Sequence, residues 1–105
     1  MKRIYFLSTC DTCRRLLKEF GDTSAYELID IKINNIDGET LDFIKSKTGS
    51  YESLFSKRAV KYKSLGLKDQ NLSEDDFRRL ILEEYTFLKR PVRIDEESVF
   101  VGKLK

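Results

Sequence analysis

The stretch IYFLSTCDTCRRLLKEF, residues 4–20, joins an apolar segment to an amphipathic one through a short polar turn. Its first part, Ile4–Leu7, is a continuous apolar run typical of a buried strand. After the turn, apolar side chains recur at helical spacing, at Cys13, Leu16, Leu17 and Phe20. Both cysteines of the chain, Cys10 and Cys13, therefore lie at a predicted strand-to-helix junction.

A Cys-x-x-Cys at the start of a helix provides the chemistry of a thiol redox site. Free backbone N–H groups and the helix dipole stabilise a thiolate at Cys10. Cys13 lies one turn further along, from where its sulfur can attack a mixed disulfide formed on Cys10. Arg14 and Arg15 add positive charge nearby. We therefore predict that Cys10 is the more exposed and more acidic thiol and that Cys13 is the resolving thiol.

The cysteine pair allows two other interpretations, a zinc site and a purely structural pair. A zinc site normally needs four ligands, and this chain has no histidine and no third cysteine, so we expect no metal. A purely structural pair rarely falls in a polar turn between strand and helix. A Cys-x-x-Cys beside a βαβ pattern instead indicates a thioredoxin-like redox motif.

Composition limits the classes of protein to which this chain can belong. The 105 residues suffice for one domain with a single core, residues 1–105. Twenty basic and 18 acidic residues give a net charge of +2, which offers no general argument for nucleic-acid binding. No apolar run is long enough to span a membrane. The chain starts directly on a strand without a signal-peptide pattern, so we expect the reducing cytoplasm, where such a motif is more often catalytic than structural.

The order of predicted elements gives an α/β fold. A strand over residues 2–7 leads, through a helix capped by Thr9 or Asp11 and ending at Gly21, to a second strand over residues 25–31. A short crossover of this kind makes the two strands parallel. The chain ends in a hairpin of strands 92–95 and 99–101. The result is a mixed sheet.

A helical insertion, approximately residues 36–88, separates the second strand from the hairpin. The predicted helices begin at Thr40 and at Ser73, whose acidic neighbours suit the positive end of a helix dipole. We expect the first to end near Gly49 and the second to continue through Tyr85. Shorter helical segments are predicted at residues 51–55 and 60–65.

Three basic positions outside the cysteine turn are candidates for the site: Arg58 in a central loop, Arg90 before the single proline, and Lys103 after the hairpin. A residue before proline is restricted to extended geometry, which defines the loop at Arg90–Pro91 sharply. Arginines beside a thiolate lower its pKa and bind oxyanions through bidentate donors.

Four short motifs follow one another along the chain: CDTC at 10–13, SKR at 56–58, YKSLGL at 62–67 and LKRP at 88–91. Together with the order of elements, they resemble the ArsC/Spx family of arsenate reductases and Spx transcriptional regulators. The resemblance covers essentially the whole chain, and its most specific signals are the Arg-Pro before the hairpin and the Leu-Gly-Leu after the short helix.

The resemblance implies a thioredoxin-like, glutaredoxin-type core with Cys10 as nucleophile. Arg90 matches the family's oxyanion-binding arginine, and Pro91 matches a cis-proline that faces the cysteine. Ser56 stands where the arsenate reductases carry another arginine, whereas Arg58 fits the Spx-like pattern. Lys103 falls at the position of a third arginine.

The predicted function is a thiol-dependent oxidoreductase resembling arsenate reductase, acting on a small oxyanion or a thiol/disulfide substrate. We assign Thr9 and Thr12 to its substrate-binding set with Arg58, Arg90 and Lys103. No bound cofactor is expected, and glutathione, glutaredoxin or thioredoxin would supply electrons. The alternative is an Spx-like redox-sensing regulator that binds RNA polymerase, without direct nucleic-acid contact.

Overall fold

The computed structural model describes residues 1–102 and centres on a four-stranded mixed sheet. The strands are β1 Lys2–Phe6, β2 Glu27–Asp30, β3 Val92–Asp95 and β4 Ser98–Val101, in the order β2-β1-β3-β4. β1 runs parallel to β2 and antiparallel to β3, and β3 and β4 form the predicted hairpin. The mixed sheet and the βαβ unit expected from the sequence are confirmed.

The register of the sheet decides which side chains reach the core. Tyr5 pairs with Ile29 of β2 and with Val92 of β3, and Ile94 follows two residues later on the same face. Because side chains alternate along a strand, Tyr5, Val92 and Ile94 all point toward one side of the sheet. All three are buried in the main core cluster.

Helix α1, Asp11–Glu19, connects β1 to β2 and begins at the cysteine turn. Its N-cap is Cys10, and no side chain caps the helix, so the predicted cap by Thr9 or Asp11 is wrong. The chain leaves α1 at Gly21, whose φ of 76° is the left-handed conformation that glycine adopts readily.

Three helices and three 3₁₀ turns lie between β2 and β3. They are α2 Gly38–Thr48, α3 Val60–Ser64 and α4 Glu74–Glu83, with 3₁₀ turns at Glu52–Leu54, Leu67–Asp69 and Tyr85–Phe87. α2 starts two residues before the predicted Thr40 because Asp37 caps it, accepting from the Thr40 N–H at 2.7 Å. Among residues 1–102, no helix has the length and apolar character needed to cross a membrane.

Helix α4 begins as predicted and ends earlier. Ser73 and Asp76 form a reciprocal capping box, which satisfies two helix-start N–H groups. The helix stops at Glu83 instead of continuing through Tyr85. The Glu84 carboxylate then accepts from the Thr86 N–H at 3.3 Å, which stabilises the 3₁₀ turn that replaces the last helical turn.

A short antiparallel ladder ties the helical insertion to the loop before β3. Ser56 N–H donates to the Phe87 carbonyl at 2.6 Å, and Lys89 N–H donates to the Leu54 carbonyl at 2.8 Å. Phe55 stacks on Phe87 with ring centroids 4.8 Å apart. Since Arg90 follows directly after this ladder, the insertion fixes the position of the loop that carries it.

Candidate active site

The two cysteines occupy different environments at the start of α1. Cys10 is half-buried, whereas the Cys13 side chain is completely buried in the core. Both thiols are free. The prediction that Cys10 is the more exposed of the two is therefore confirmed.

The surroundings of Cys10 favour its thiolate. Partial burial raises the pKa of the Cys10 thiol, but three nearby groups outweigh that effect and leave the pKa below its ordinary value. The backbone N–H and the thiol of Cys13 favour the charged form of the Cys10 sulfur, and the positive charge of the Arg90 guanidinium adds to this effect. The arrangement suits a nucleophilic thiol at neutral pH.

The surroundings of Cys13 favour its neutral thiol. Burial in apolar surroundings, reinforced by the negative charge of a neighbouring Cys10 thiolate, raises the pKa of Cys13 to about 12. The buried thiol can donate a hydrogen bond to the Cys10 sulfur while keeping its own proton. The two environments thus separate the pKa values of the cysteines in the directions that a nucleophile and a resolving thiol require.

Arg90 is held in place by backbone carbonyl groups. One terminal nitrogen of its guanidinium donates to the carbonyl oxygens of Thr86 and Leu88, each at 2.9 Å. Its Nε atom is buried and has no hydrogen-bond partner among residues 1–102. A cation fixed in this way keeps its positive charge close enough to the Cys10 thiol to lower its pKa.

The loop at Arg90 also depends on a residue that the sequence analysis missed. The Arg90–Pro91 peptide bond is cis, as predicted. Buried Gly102 packs directly against this peptide, and a Cβ atom there would lie 2.7 Å from the Arg90 carbonyl oxygen. The sequence signal for this contact was a glycine just after the predicted hairpin. Pro91, against which it packs, is eleven positions away in the sequence.

The other predicted site residues are Arg58, Thr9, Thr12 and Lys103. Exposed Arg58 and partly buried Arg90 line the same depression, about 450 Å³ in volume. Thr9 lies in the exposed turn before Cys10, and half-buried Thr12 lies in the first turn of α1. Lys103 lies outside the described residues. Within residues 1–102, no cluster of three or more His, Cys, Asp or Glu side chains could hold a metal ion.

Arg14 and Arg15 of α1 lie close to the cysteines in the sequence. Arg14 forms an ion pair with Asp11, one helical turn away, and Arg15 is exposed. The arginine that contributes to the pKa of Cys10 is therefore Arg90, supplied from the other end of the chain.

The order of elements and this site can be compared with known proteins. The model of the ArsC family matches residues 5–104. The chain belongs to the ArsC family. The ArsC resemblance expected from the sequence is thereby confirmed, and with it the thioredoxin-like mixed α/β fold.

Three similar proteins carry different descriptions. The chain is 30% identical to the uncharacterized protein YusI of Bacillus subtilis, over 93% of this chain and 86% of YusI. It is 27% identical to the global transcriptional regulator Spx 2 of Bacillus anthracis, over 94% of this chain and 77% of Spx 2. A crystal structure of a possible arsenate reductase from Streptococcus mutans superposes with a TM-score of 0.78 at 30% identity, covering 95% and 87% of the two chains.

Proposed function

We propose that this protein is a thiol-dependent oxidoreductase in which Cys10 is the nucleophile and Cys13 the resolving thiol. The observation that carries the proposal is the opposite tuning of the two thiols. The pKa of half-buried Cys10 is lowered by Cys13 and Arg90, whereas burial raises the pKa of Cys13. A thiolate next to a protonated thiol can form a covalent adduct and then resolve it.

The charge and geometry of Arg90 favour an oxyanion as one class of substrate. The Arg90 guanidinium belongs to a partly buried residue that lines a depression of about 450 Å³, so an anion could reach it from solvent. A guanidinium also matches the planar, multiple-acceptor geometry of an oxyanion. An oxyanion held there would lie beside the Cys10 sulfur.

With arsenate as substrate, the proposed reaction begins at the Cys10 thiolate and ends with the release of arsenite. The Cys10 thiolate attacks arsenic, an arsenate oxygen leaves with protons as water, and a thiol–arsenate adduct forms. The Cys13 thiol then loses its proton and attacks the Cys10 sulfur, which forms the Cys10–Cys13 disulfide and releases arsenite. Two electrons pass from the two thiols to arsenic.

A disulfide substrate would use the same two thiols. The Cys10 thiolate attacks one sulfur of the substrate disulfide and releases the other as a thiolate. Attack by Cys13 on the mixed disulfide releases the second substrate thiol and oxidises the cysteine pair. In either case glutathione, glutaredoxin or thioredoxin would reduce the pair again, in the cytoplasm where thiols are kept reduced.

Turnover with alternative substrates and reductants tests this function. Arsenate and a glutathione mixed disulfide would each be supplied with glutathione, glutaredoxin or thioredoxin, and arsenite or free thiol would be measured. We expect at least one combination to turn over repeatedly with the wild-type chain and none with Cys10→Ser. Stoichiometric consumption without repeated turnover in every combination would contradict an enzymatic role.

The role of Cys13 has a separate test. Mild oxidation with diamide should give a monomer that has lost two hydrogens by mass spectrometry, since two intervening residues at a helix start suit disulfide geometry. With Cys13→Ser, the adduct on Cys10 should form and accumulate. Recovery of intermolecular dimers alone from the wild-type chain would argue against Cys13 as the resolving thiol.

A second candidate function is a redox-sensing regulator. The observation that favours it is the 27% identity to Spx 2, together with a Cys-x-x-Cys that could switch between dithiol and disulfide. The resemblance implies RNA polymerase as the partner in that case. Stoichiometric binding of purified RNA polymerase by one redox form and not the other, without turnover of any substrate, would select this alternative.

A further inference from the structure

Helix α3, Val60–Ser64, presents apolar side chains to solvent beside the proposed active site. Val60 is 83% exposed and Leu65, just after the helix, is 55% exposed. No residue of α3 is buried. Single exposed aliphatic side chains are common, so Val60 indicates a contact point only in combination with the charges around it.

The chain segment that contains α3 carries charges of a single sign. Between residues 57 and 68 the chain carries five basic residues and no acidic one, although the whole protein has a net charge of only +2. Lys57 pairs with Glu52 at 2.7 Å and Lys61 with Glu84 at 2.5 Å. Arg58 and Lys63 are exposed and have no ion-pair partner in the described part of the chain.

The α3 surface continues to the active site. A depression of about 630 Å³ is lined by Lys57, Arg58, Val60 and Lys63. A second depression, about 450 Å³, is lined by Arg58 and Val60 together with Glu84 and Arg90. Arg58 and Val60 therefore line both depressions. We call the surface formed by Arg58, Val60 and Lys63 the α3 ridge.

We propose that the α3 ridge docks an acidic segment of a protein whose disulfide is exchanged at Cys10. The segment's carboxylates would pair with Arg58 and Lys63, and an apolar side chain of the segment would pack on Val60. This inference rests on the proposed thiol exchange and names the chemistry of its macromolecular disulfide substrate. The partner's cysteine would then reach Cys10 by way of Arg90.

A protein segment fits this surface better than a nucleic acid does. The exposed Val60 side chain of the ridge gains from contact with other apolar groups, which a sugar-phosphate backbone does not offer. Two of the basic residues are already neutralised by glutamates, so the field is weaker than on a surface built to bind polyphosphate. Exposed carboxylates beside an apolar side chain complement both features of the ridge.

Binding can be measured separately from chemistry. The full chain with Cys10→Ser would be titrated into three fluorescent probes by anisotropy: an Asp- and Leu-containing peptide with one serine in place of cysteine, the same peptide with Lys for Asp, and a short DNA duplex. We expect the acidic peptide to bind most tightly and its affinity to fall as salt rises. Tighter binding of the duplex or of the Lys peptide would overturn the proposal.

The exposed surface of the chain provides a matched control. The ridge variant Val60→Ser/Lys63→Glu replaces an exposed aliphatic residue and a lysine. The control Lys32→Glu/Ile33→Ser makes the same chemical changes elsewhere, where Ile33 is 78% exposed. We expect the ridge variant to weaken binding of the acidic peptide about tenfold or more and the control to leave it unchanged. Equal losses in both variants would overturn the proposal.

Exchange kinetics distinguish failure of the docking surface from failure of the proposed function. The protein would keep its Cys10 thiol and would be given two substrates. One is the acidic peptide with its cysteine restored and joined to thionitrobenzoate in a mixed disulfide. The other is the small substrate hydroxyethyl disulfide. The ridge variant should slow exchange with the peptide and not with the small disulfide. Absence of exchange with both in the wild-type chain would reject the proposed function, whereas peptide exchange insensitive to the ridge variant would reject the docking surface alone.

Discussion

The backbone N–H of Gly102 donates a hydrogen bond to the carbonyl oxygen of Pro91 over 2.7 Å. The two chain segments approach so closely here that a Cβ atom on residue 102 would lie 2.6 Å from the Pro91 ring and 2.7 Å from the Arg90 carbonyl oxygen. Contacts of that length require the backbone of the loop to move. Gly102 therefore determines where the loop holds the Arg90 guanidinium.

Gly102→Ala should weaken the coupling between Arg90 and Cys10. We expect the variant to fold with a loss of about 1–3 kcal/mol in the free energy of unfolding, as for other overpacked sites, and with a Cys10 pKa higher than that of the wild type. Gly49→Ala is the control, since a Cβ there meets open space and only backbone strain at φ 104° opposes it. An unchanged Cys10 pKa in Gly102→Ala would contradict this role for Gly102.

Alkylation across a pH series should separate the two cysteines. Iodoacetamide reacts with thiolates, so Cys10 should label first, with an apparent pKa below the ordinary value of about 8.5 for a free cysteine. Cys13, whose pKa burial raises to about 12, should stay unlabelled at neutral pH until the protein is denatured. Peptide mapping by mass spectrometry gives both rates, and faster labelling of Cys13 in the native protein would reverse the assigned roles.

Arg90→Ala should impair both the thiol and the oxyanion site. Loss of the positive charge should raise the pKa of Cys10, and loss of the charged donor should weaken binding of an oxyanion about tenfold or more. Arg90→Lys should recover part of the first effect and less of the second, because an ammonium lacks the bidentate geometry.

The adjacent Lys89→Ala provides the control for Arg90, since it removes the same charge from the same loop. Thiol reactivity measured by alkylation and anion affinity measured by calorimetry should remain near wild type in this variant. If Arg90→Ala and Lys89→Ala behaved alike in both measurements, Arg90 would have no specific part in the site.

The buried Cys13 thiol should make stability depend on pH in alkaline solution. Its folded-state pKa of about 12 lies above the unfolded value of about 8.5. The folded state therefore keeps a proton that the unfolded chain releases, so this stabilisation is fully present below pH of about 8.5 and is lost as pH rises toward about 12.

The comparison that isolates this effect is made in a Cys10→Ser background, which removes the neighbouring thiolate and prevents an internal disulfide. The free energy of unfolding of the parent should fall more steeply above pH of about 8.5 than that of the same chain carrying Cys13→Ala. Denaturant titrations at successive pH values give this difference. A constant gap between the two proteins across the range would show that Cys13 ionises normally.

Local features of the fold were predictable because near neighbours in the sequence decide them. The strand and helix on either side of the cysteine turn follow from apolar spacing, and the start of α4 follows from Ser73 and its acidic neighbours. The errors were also local. Asp37 caps α2, so this helix starts two residues earlier than predicted, and Cys10 itself occupies the N-cap of α1.

The candidate site could be predicted only in part. The cysteine pair and the placement of Arg90 before the proline were accessible from spacing and from the resemblance to ArsC proteins. The hydrogen bonds that orient Arg90 were not, because they run to the backbone carbonyl groups of Thr86 and Leu88. Backbone acceptors are present at every residue, so no side-chain pattern distinguishes the two that are used.

The sequence by itself thus determined the order of elements, the βαβ unit and the two thiols at the start of α1. The tertiary structure decided which cation reaches Cys10. Arg14 and Arg15 are nearest in sequence, yet Arg14 pairs with Asp11 and the charge that lowers the Cys10 pKa comes from Arg90. Antiparallel pairing of β3 with β1 brings that distant loop beside the cysteine turn, and electrostatic interaction depends on distance in space, not along the chain.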